Sequence, residues 1–454
     1  MPLTRGRSVR FGGFLHRDSI EAVPSGAASN FVRHVSWHDS QVTDRPISRR
    51  DVLKALALGS TAVALAACAP GKSSQQVGQS APITGPTGSP TAPPSASAST
   101  PSASASPNPG LTLREKIAGL MIVGFRGSTL ADADGLAASI GDANLGGVIL
   151  FDRDQATGGA RNIISRAQVT RLVTDLRAAA GDRRLIVSID QEGGIVTRLS
   201  PAHGFPAVAS EAEIGAADDA AAAATWGTGI ATTLASVGIN LNFAPVVDLN
   251  ANPKSPAIGA LDRSFSADPD VVVAMATPEI EAHRAAGVGT TLKHFPGIGS
   301  STTNTDFGVA DVTATWTRVE LEPFRRLIAA GTADLVMAGH VVNGQLDPDY
   351  PASLSKKIVT DLLRGELGWS GPVVTDDLQA AAIVEKFGFD EAVVLALEAG
   401  NDLLLFANQQ AYDPDVMSKG VDAIVAAVDS GRLPASRIDD ALDRVDRLLG
   451  AMSG

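Results

Sequence analysis

The sequence predicts an α/β protein whose main body is a (β/α)8 TIM barrel. Two observations carry the prediction. From Leu111 onward, eight short apolar runs alternate with longer amphipathic stretches, and polar residues recur at or just beyond the ends of those runs. A doubly wound open sheet is the alternative, disfavoured because no Gly-x-Gly-x-x-Gly follows the first run.

The runs are Leu120–Phe125, Gly147–Phe151, Leu185–Asp190, Asn240–Pro245, Gly289–His294, Leu335–His340, Val373–Asp376 and Leu403–Phe406. Each has the length of a buried strand. Between them the apolar spacing predicts helices over Arg166–Ala179, Asp218–Ser236, Val271–Ala286, Trp316–Ala330, Ser355–Glu366 and Asp390–Ala399. Asp415–Asp429 and Ala435–Leu449 close the chain as two more. In such a barrel the C-terminal ends of the strands meet on one face. Asp190, Asp248, Lys293, His294, His340 and Asp376, far apart in sequence, thereby become neighbours.

The chain divides into residues 1–67, 68–109 and 110–454. Residues 1–67 carry nine Lys/Arg against five Asp/Glu, a local net of +4, so with a chain net of −12 the rest carries −16. Nothing in that acidic body gathers cations into a phosphate-binding face, which argues against a nucleic-acid partner. Ser48-Arg49-Arg50-Asp51-Val52-Leu53-Lys54 precedes an uncharged run that ends in Leu65-Ala66-Ala67-Cys68. The run is shorter than the roughly 20 residues a spanning helix needs. The order of these features resembles a twin-arginine export signal followed by a bacterial lipobox. The resemblance implies that Cys68, the single cysteine, is acylated and anchors the protein at the outer face of the cytoplasmic membrane or in the cell envelope. Residues 1–47 are long for a pre-signal region, as a start codon assigned too far upstream would make them. Residues 69–109 are Ser, Pro, Ala, Gly and Thr with almost no large apolar side chain, the composition of a disordered spacer.

Val373-Val374-Thr375-Asp376-Asp377 ends an apolar run with two carboxylates, and strand alternation lets at most one of them point into a barrel mouth. An Asp after a strand is also a common helix cap. The pair gains meaning from Asp190-Gln191-Glu192-Gly193-Gly194 with Arg198, from Arg263-Ser264-Phe265, and from Lys293-His294-Phe295-Pro296-Gly297. Taken in order over about residues 111–450, these motifs resemble glycoside hydrolase family 3, and within it the single-domain β-N-acetylhexosaminidases of bacterial cell-wall turnover. The resemblance implies that Asp376 is a nucleophile that forms a glycosyl ester. It places Asp190, Arg198, Arg263, Lys293 and His294 around the sugar before the scissile bond, with His340 at the barrel mouth. Charged side chains there make directional hydrogen bonds to hydroxyls, and nearby cations keep a carboxylate ionised. In isolation Arg198 also reads as a surface ion-pair partner, His294 and His340 as structural histidines, and Asp248 as a ligand contact or a cap.

The chain departs from that subgroup at one place. Where the subgroup carries its general acid as the His of Asp-Ser-His, this chain reads Asn304-Thr305-Asp306, and no histidine occurs between His294 and His340. Asp306 is the replacement that the spacing offers. Asp311 or Glu192 is the second reading, and impaired protonation, leaving a weak enzyme or a glycan-binding protein, is the third. An ionised Asp306 would repel a phosphate acceptor, which predicts hydrolysis over phosphorolysis.

The expected activity is a retaining exo-β-glycosidase that releases terminal N-acetylglucosamine, with a β-glucosidase or xylosidase, or a non-catalytic glycan-binding lipoprotein, as rivals. No cofactor is expected. No metal site is expected either, since the barrel region has only His203, His283, His294 and His340 and none forms a close ligand pair. With 4% aromatic residues there is no stacking platform for a long polysaccharide, which favours short substrates.

Overall fold

The computed structural model describes residues 110–304 and 310–452. The export segment, Cys68, the spacer and Asp306 lie outside the described residues. Eight parallel strands form one ring: β1 (Met121–Gly124), β2 (Gly147–Leu150), β3 (Ile186–Ile189), β4 (Leu241–Asn242), β5 (Gly289–Phe295), β6 (Leu335–Ala338), β7 (Val373–Thr375) and β8 (Leu404–Phe406). Their order is β7-β6-β5-β4-β3-β2-β1-β8. A parallel bridge between Val374 and Leu403 joins the two ends, so the sheet is a (β/α)8 barrel. One strand falls on each of the eight apolar runs, β5 extending one residue beyond its run. Every residue of these strands is buried, because one face fills the barrel and the other lies under helices, and so the runs lack polar alternation.

β4 is shorter than its run because the chain turns irregular at Pro245, which has no N–H for the ladder. Pairing continues beyond it through Thr291 N–H to Ala244 O (2.9 Å) and Val247 N–H to Lys293 O (2.9 Å). Helix Arg166–Ala180 turns Val169, Leu172, Val173, Leu176 and Ala180 to the barrel, the spacing of a one-faced helix. Helix Ala220–Ser236 begins after Asp218 because the Asp219 side chain caps the N–H groups of Ala221 and Ala222. The stretch Trp316–Ala330 is divided: Arg318–Leu321 is a 3-10 turn and the α-helix is Glu322–Ala329. Pro323 fits only a first helical turn, which sets that boundary.

Four short helices were not expected: Leu113–Ala118, Leu136–Gly141, Glu211–Ala217 and Ala381–Phe387. The first enters through a capping box between Thr112 and Glu115 and leads directly into β1. Leu111 lines a cleft there with Gly119 and Gly146, which stand just before β1 and β2, so this is the rim at the N-terminal ends of the strands. Among the described residues, no helix is long and apolar enough to cross a membrane.

Candidate active site

At the opposite rim a cavity of about 190 Å3 is lined by Asp190, Glu192, Arg198, Arg263, Lys293, His294, Asn304, Asp376 and Asp377, with apolar walls from Phe151, Leu261, Met337 and Leu405. Asp190 stands one residue past β3. Glu192 and Arg198 come from a hairpin, Gln191–Gly193 with Val196–Thr197, inserted after that strand. Lys293 and His294 end β5, and Asp376 follows β7. Six expected sugar-site residues (Asp190, Arg198, Arg263, Lys293, His294 and Asp376) thus share one cavity.

The two carboxylates after β7 do different things. Asp377 accepts the N–H groups of Gln379 (3.1 Å) and Ala407 (2.9 Å), tying its own turn to the end of β8. Among the described residues, Asp376 accepts only the N–H of Asp377 (2.9 Å). Burial opposes its charge, but the positive fields of His340 and His294 when protonated, the Asp377 N–H and Lys293 outweigh burial and hold its carboxyl below the ordinary value. An ionised carboxylate with few protein partners is what a glycosyl acceptor requires.

Glu192 is the charge partner that the motif reading did not single out. Its carboxylate takes Arg263 in a fork (2.7 and 2.8 Å) and Lys293 Nζ at 2.6 Å. Lys293 Nζ also reaches Asp190 Oδ1 at 2.8 Å. Burial of Glu192 would raise its pKa, yet the two cations hold it well below the usual carboxylate range, so it carries no proton to donate. Burial likewise opposes the Lys293 charge, and Asp190 and Glu192 overcome it. Asp311 is exposed, accepts the Thr313 N–H at 2.8 Å and also sits low, and it does not line the cavity. Neither Glu192 nor Asp311 therefore has the properties of a general acid. Asn304, two residues before Asp306, does line the cavity.

Arg198 keeps a buried Nε with no hydrogen-bond partner among the described residues and lies 5.5 Å from the centre of the Phe151 ring. His340 does not line the cavity, contrary to its expected place at the mouth. Its Nδ1 meets Ser353 Oγ (2.7 Å) and its Nε2 meets the carbonyl of Asp377 (2.7 Å), so it supports the strand end behind the nucleophile candidate. The alternatives left open for Asp248 are both replaced: it is fully buried and bonded to His294. The loop after His294 packs tightly. A Cβ on Gly299 would lie 1.6 Å from Leu249 O, and Gly297 has φ +105°. Buried Trp316 donates its indole N–H to Pro296 O at 3.0 Å.

The family model described as "Glycosyl hydrolase family 3 N terminal domain" matches residues 112–448. The chain belongs to glycoside hydrolase family 3. This family 3 hydrolase is 36% identical over 303 residues to the beta-hexosaminidase of Tolumonas auensis, covering 66% of the chain and 83% of that protein. The solved beta-N-acetylglucosaminidase of a Paenibacillus strain matches with TM-score 0.69 at 37% identity, over 76% of this chain and 63% of that one. The beta-N-acetylhexosaminidase of Beutenbergia cavernae matches with TM-score 0.66 at 36% identity, over 75% of this chain and 99% of that one. The hydrolase thus spans less than two thirds of the Paenibacillus chain and nearly all of the Beutenbergia one. Among its described residues, no group of three His, Cys, Asp or Glu side chains is placed to hold a metal ion.

Proposed function

We propose that this family 3 hydrolase is a retaining exo-β-N-acetylhexosaminidase that hydrolyses terminal N-acetylglucosamine from cell-wall fragments or related β-linked glycans. One observation carries the reading: an ionised Asp376 shares a single small cavity with Asp190, Arg198, Lys293 and His294. A volume of about 190 Å3 lies below the range of drug-sized pockets and suits one sugar ring rather than a chain. Asp376 attacks the anomeric carbon as the glycosidic oxygen takes a proton and leaves, and water then cleaves the ester. Asp306 is the proposed proton donor, resting on its spacing from Lys293-His294 and on Asn304 at the cavity wall. A carboxyl with an ordinary pKa near ~4 would need that value raised to act as an acid. The export features, ending at Cys68, support a lipid anchor at the outer face of the membrane or in the envelope.

Aryl glycosides assayed on wild type, Asp376→Asn and Asp306→Ala test the reading. The N-acetylglucosaminide is expected to be cleaved faster than the glucoside or xyloside, and Asp376→Asn to lower kcat by roughly 10^3-fold or more. Asp306→Ala is expected to spare good leaving groups and slow poor ones. Full activity of that variant on a poor leaving group would remove Asp306 from the mechanism. In phosphate buffer, free sugar is expected to exceed sugar 1-phosphate, because an ionised Asp306 repels the anion. Dominant phosphorolysis would reject that assignment, and binding without turnover would favour the glycan-binding rival.

A further inference from the structure

Asp248 lies just past β4, has no exposed surface and does not line the cavity. Yet its carboxylate holds one wall of that cavity. Oδ2 accepts the backbone N–H of His294 at 3.0 Å and meets His294 Nδ1 at 2.7 Å. Oδ1 accepts the N–H of Ile298 at 2.8 Å, and Ser264 Oγ donates to the Asp248 carbonyl at 2.6 Å. The carboxylate is therefore fixed from both sides before it touches the imidazole.

A carboxylate can only accept, so Nδ1 of His294 must carry the proton it shares with Asp248. Nε2, which has no protein partner among the described residues, is then the nitrogen left for a ligand, an acceptor in the neutral ring and a donor in the charged one. We infer that Asp248 is a positioning residue, which keeps a proton on Nδ1 of His294 and fixes the ring so that Nε2 faces a sugar hydroxyl. The inference rests on the reading of this cavity as the sugar site. The logic parallels the buried aspartate of a serine-protease triad, where the carboxylate acts by holding the imidazole in the correct tautomer. Asp248→Asn keeps the shape but cannot keep the bonds. With its oxygen toward His294, the amide NH2 confronts the Ile298 N–H. Turned round, the NH2 confronts His294 and forces Nδ1 to become the acceptor.

The test is a double-mutant cycle on an aryl N-acetylglucosaminide with Asp248→Asn, His294→Ala and the pair. Asp248→Asn, assayed below its own lowered unfolding temperature because a buried NH2 then faces an N–H, is expected to lower kcat/KM by roughly 10- to 100-fold, by analogy with partners that orient ligating histidines. In the His294→Ala background its further effect is expected to fall below about threefold, since the ring it orients is gone. Losses that multiply, or wild-type kcat/KM in Asp248→Asn, would overturn the inference. A second readout needs no turnover and no folded Asp248 variant. In the 15N spectrum of histidine-labelled wild type, with His294→Ala identifying the signals, Nδ1 of His294 is expected to be protonated at neutral pH. An unprotonated Nδ1 would overturn the inference. If wild type cleaves no glycoside while Nδ1 is protonated, the functional reading fails and the Asp248 geometry stands.

Discussion

Glu320 shows how one side chain near the site couples fold to pH. It is 1% exposed; Oε2 accepts the Ser300 N–H at 3.3 Å, while Oε1 has no partner among the described residues. Burial, with the Asp248 charge adding to it, pushes its carboxyl up to about 7 from 4.5. A value raised on folding means the native state holds the proton more tightly. The associated stability is full below pH 4.5 and is lost as pH rises through about 7. The ionised form then costs about 3 kcal/mol. Glu320→Gln is expected to be more stable than wild type at pH 8, with no such gain at pH 4.5, by urea unfolding. A pH-independent difference would contradict the burial of Glu320. Glu192 has the same chemistry and the opposite outcome, because Arg263 and Lys293 stand against it.

Among the elements, the seam between β7 and β8 has the least regular pairing, a single bridge at Val374 and Leu403. Asp402, fully buried, secures it. Oδ2 accepts the Val373 N–H (3.0 Å) and Arg364 Nη2 (2.6 Å), and Oδ1 accepts Arg437 Nη2 (3.1 Å) and Arg444 Nη1 (3.2 Å). Helices Lys357–Glu366 and Ala435–Ala451 are thereby bound to the strand they flank. Asp402→Ala leaves three guanidinium groups around an empty site, and chemical denaturation is expected to show a loss of about 3–5 kcal/mol. A loss under 1 kcal/mol would mean the seam is held by packing alone. This staple was not legible in the sequence, because Asp402 reads as one more polar residue ahead of an apolar run. The strands were legible because both their faces are buried; most runs exceeded their strand by one or two residues, and the one at β4, interrupted by Pro245, by four. The helix Glu211–Ala217 had a visible signal in Ser210 and Glu213, whose capping box starts it, and in Asp218-Asp219, which divides it from the alanine-rich helix that follows.

For the whole molecule, the sequence was most informative where topology does the work. Asp190, Lys293, His294 and Asp376 converge because each ends or follows a barrel strand, and that rule needs no side-chain geometry. It could not show how the charges pair once they meet. Arg263 and Lys293 both lean on Glu192, His340 turns back to Ser353 and Asp377, and Asp248 acts from behind the wall. Those choices depend on a few tenths of an ångström and on which oxygen faces which donor.

The entry of the chain at Leu111 has a spatial consequence. That residue sits on the rim opposite the sugar cavity. A leash through Cys68, as proposed, would therefore pull on the floor of the barrel, the end that carries none of the catalytic candidates.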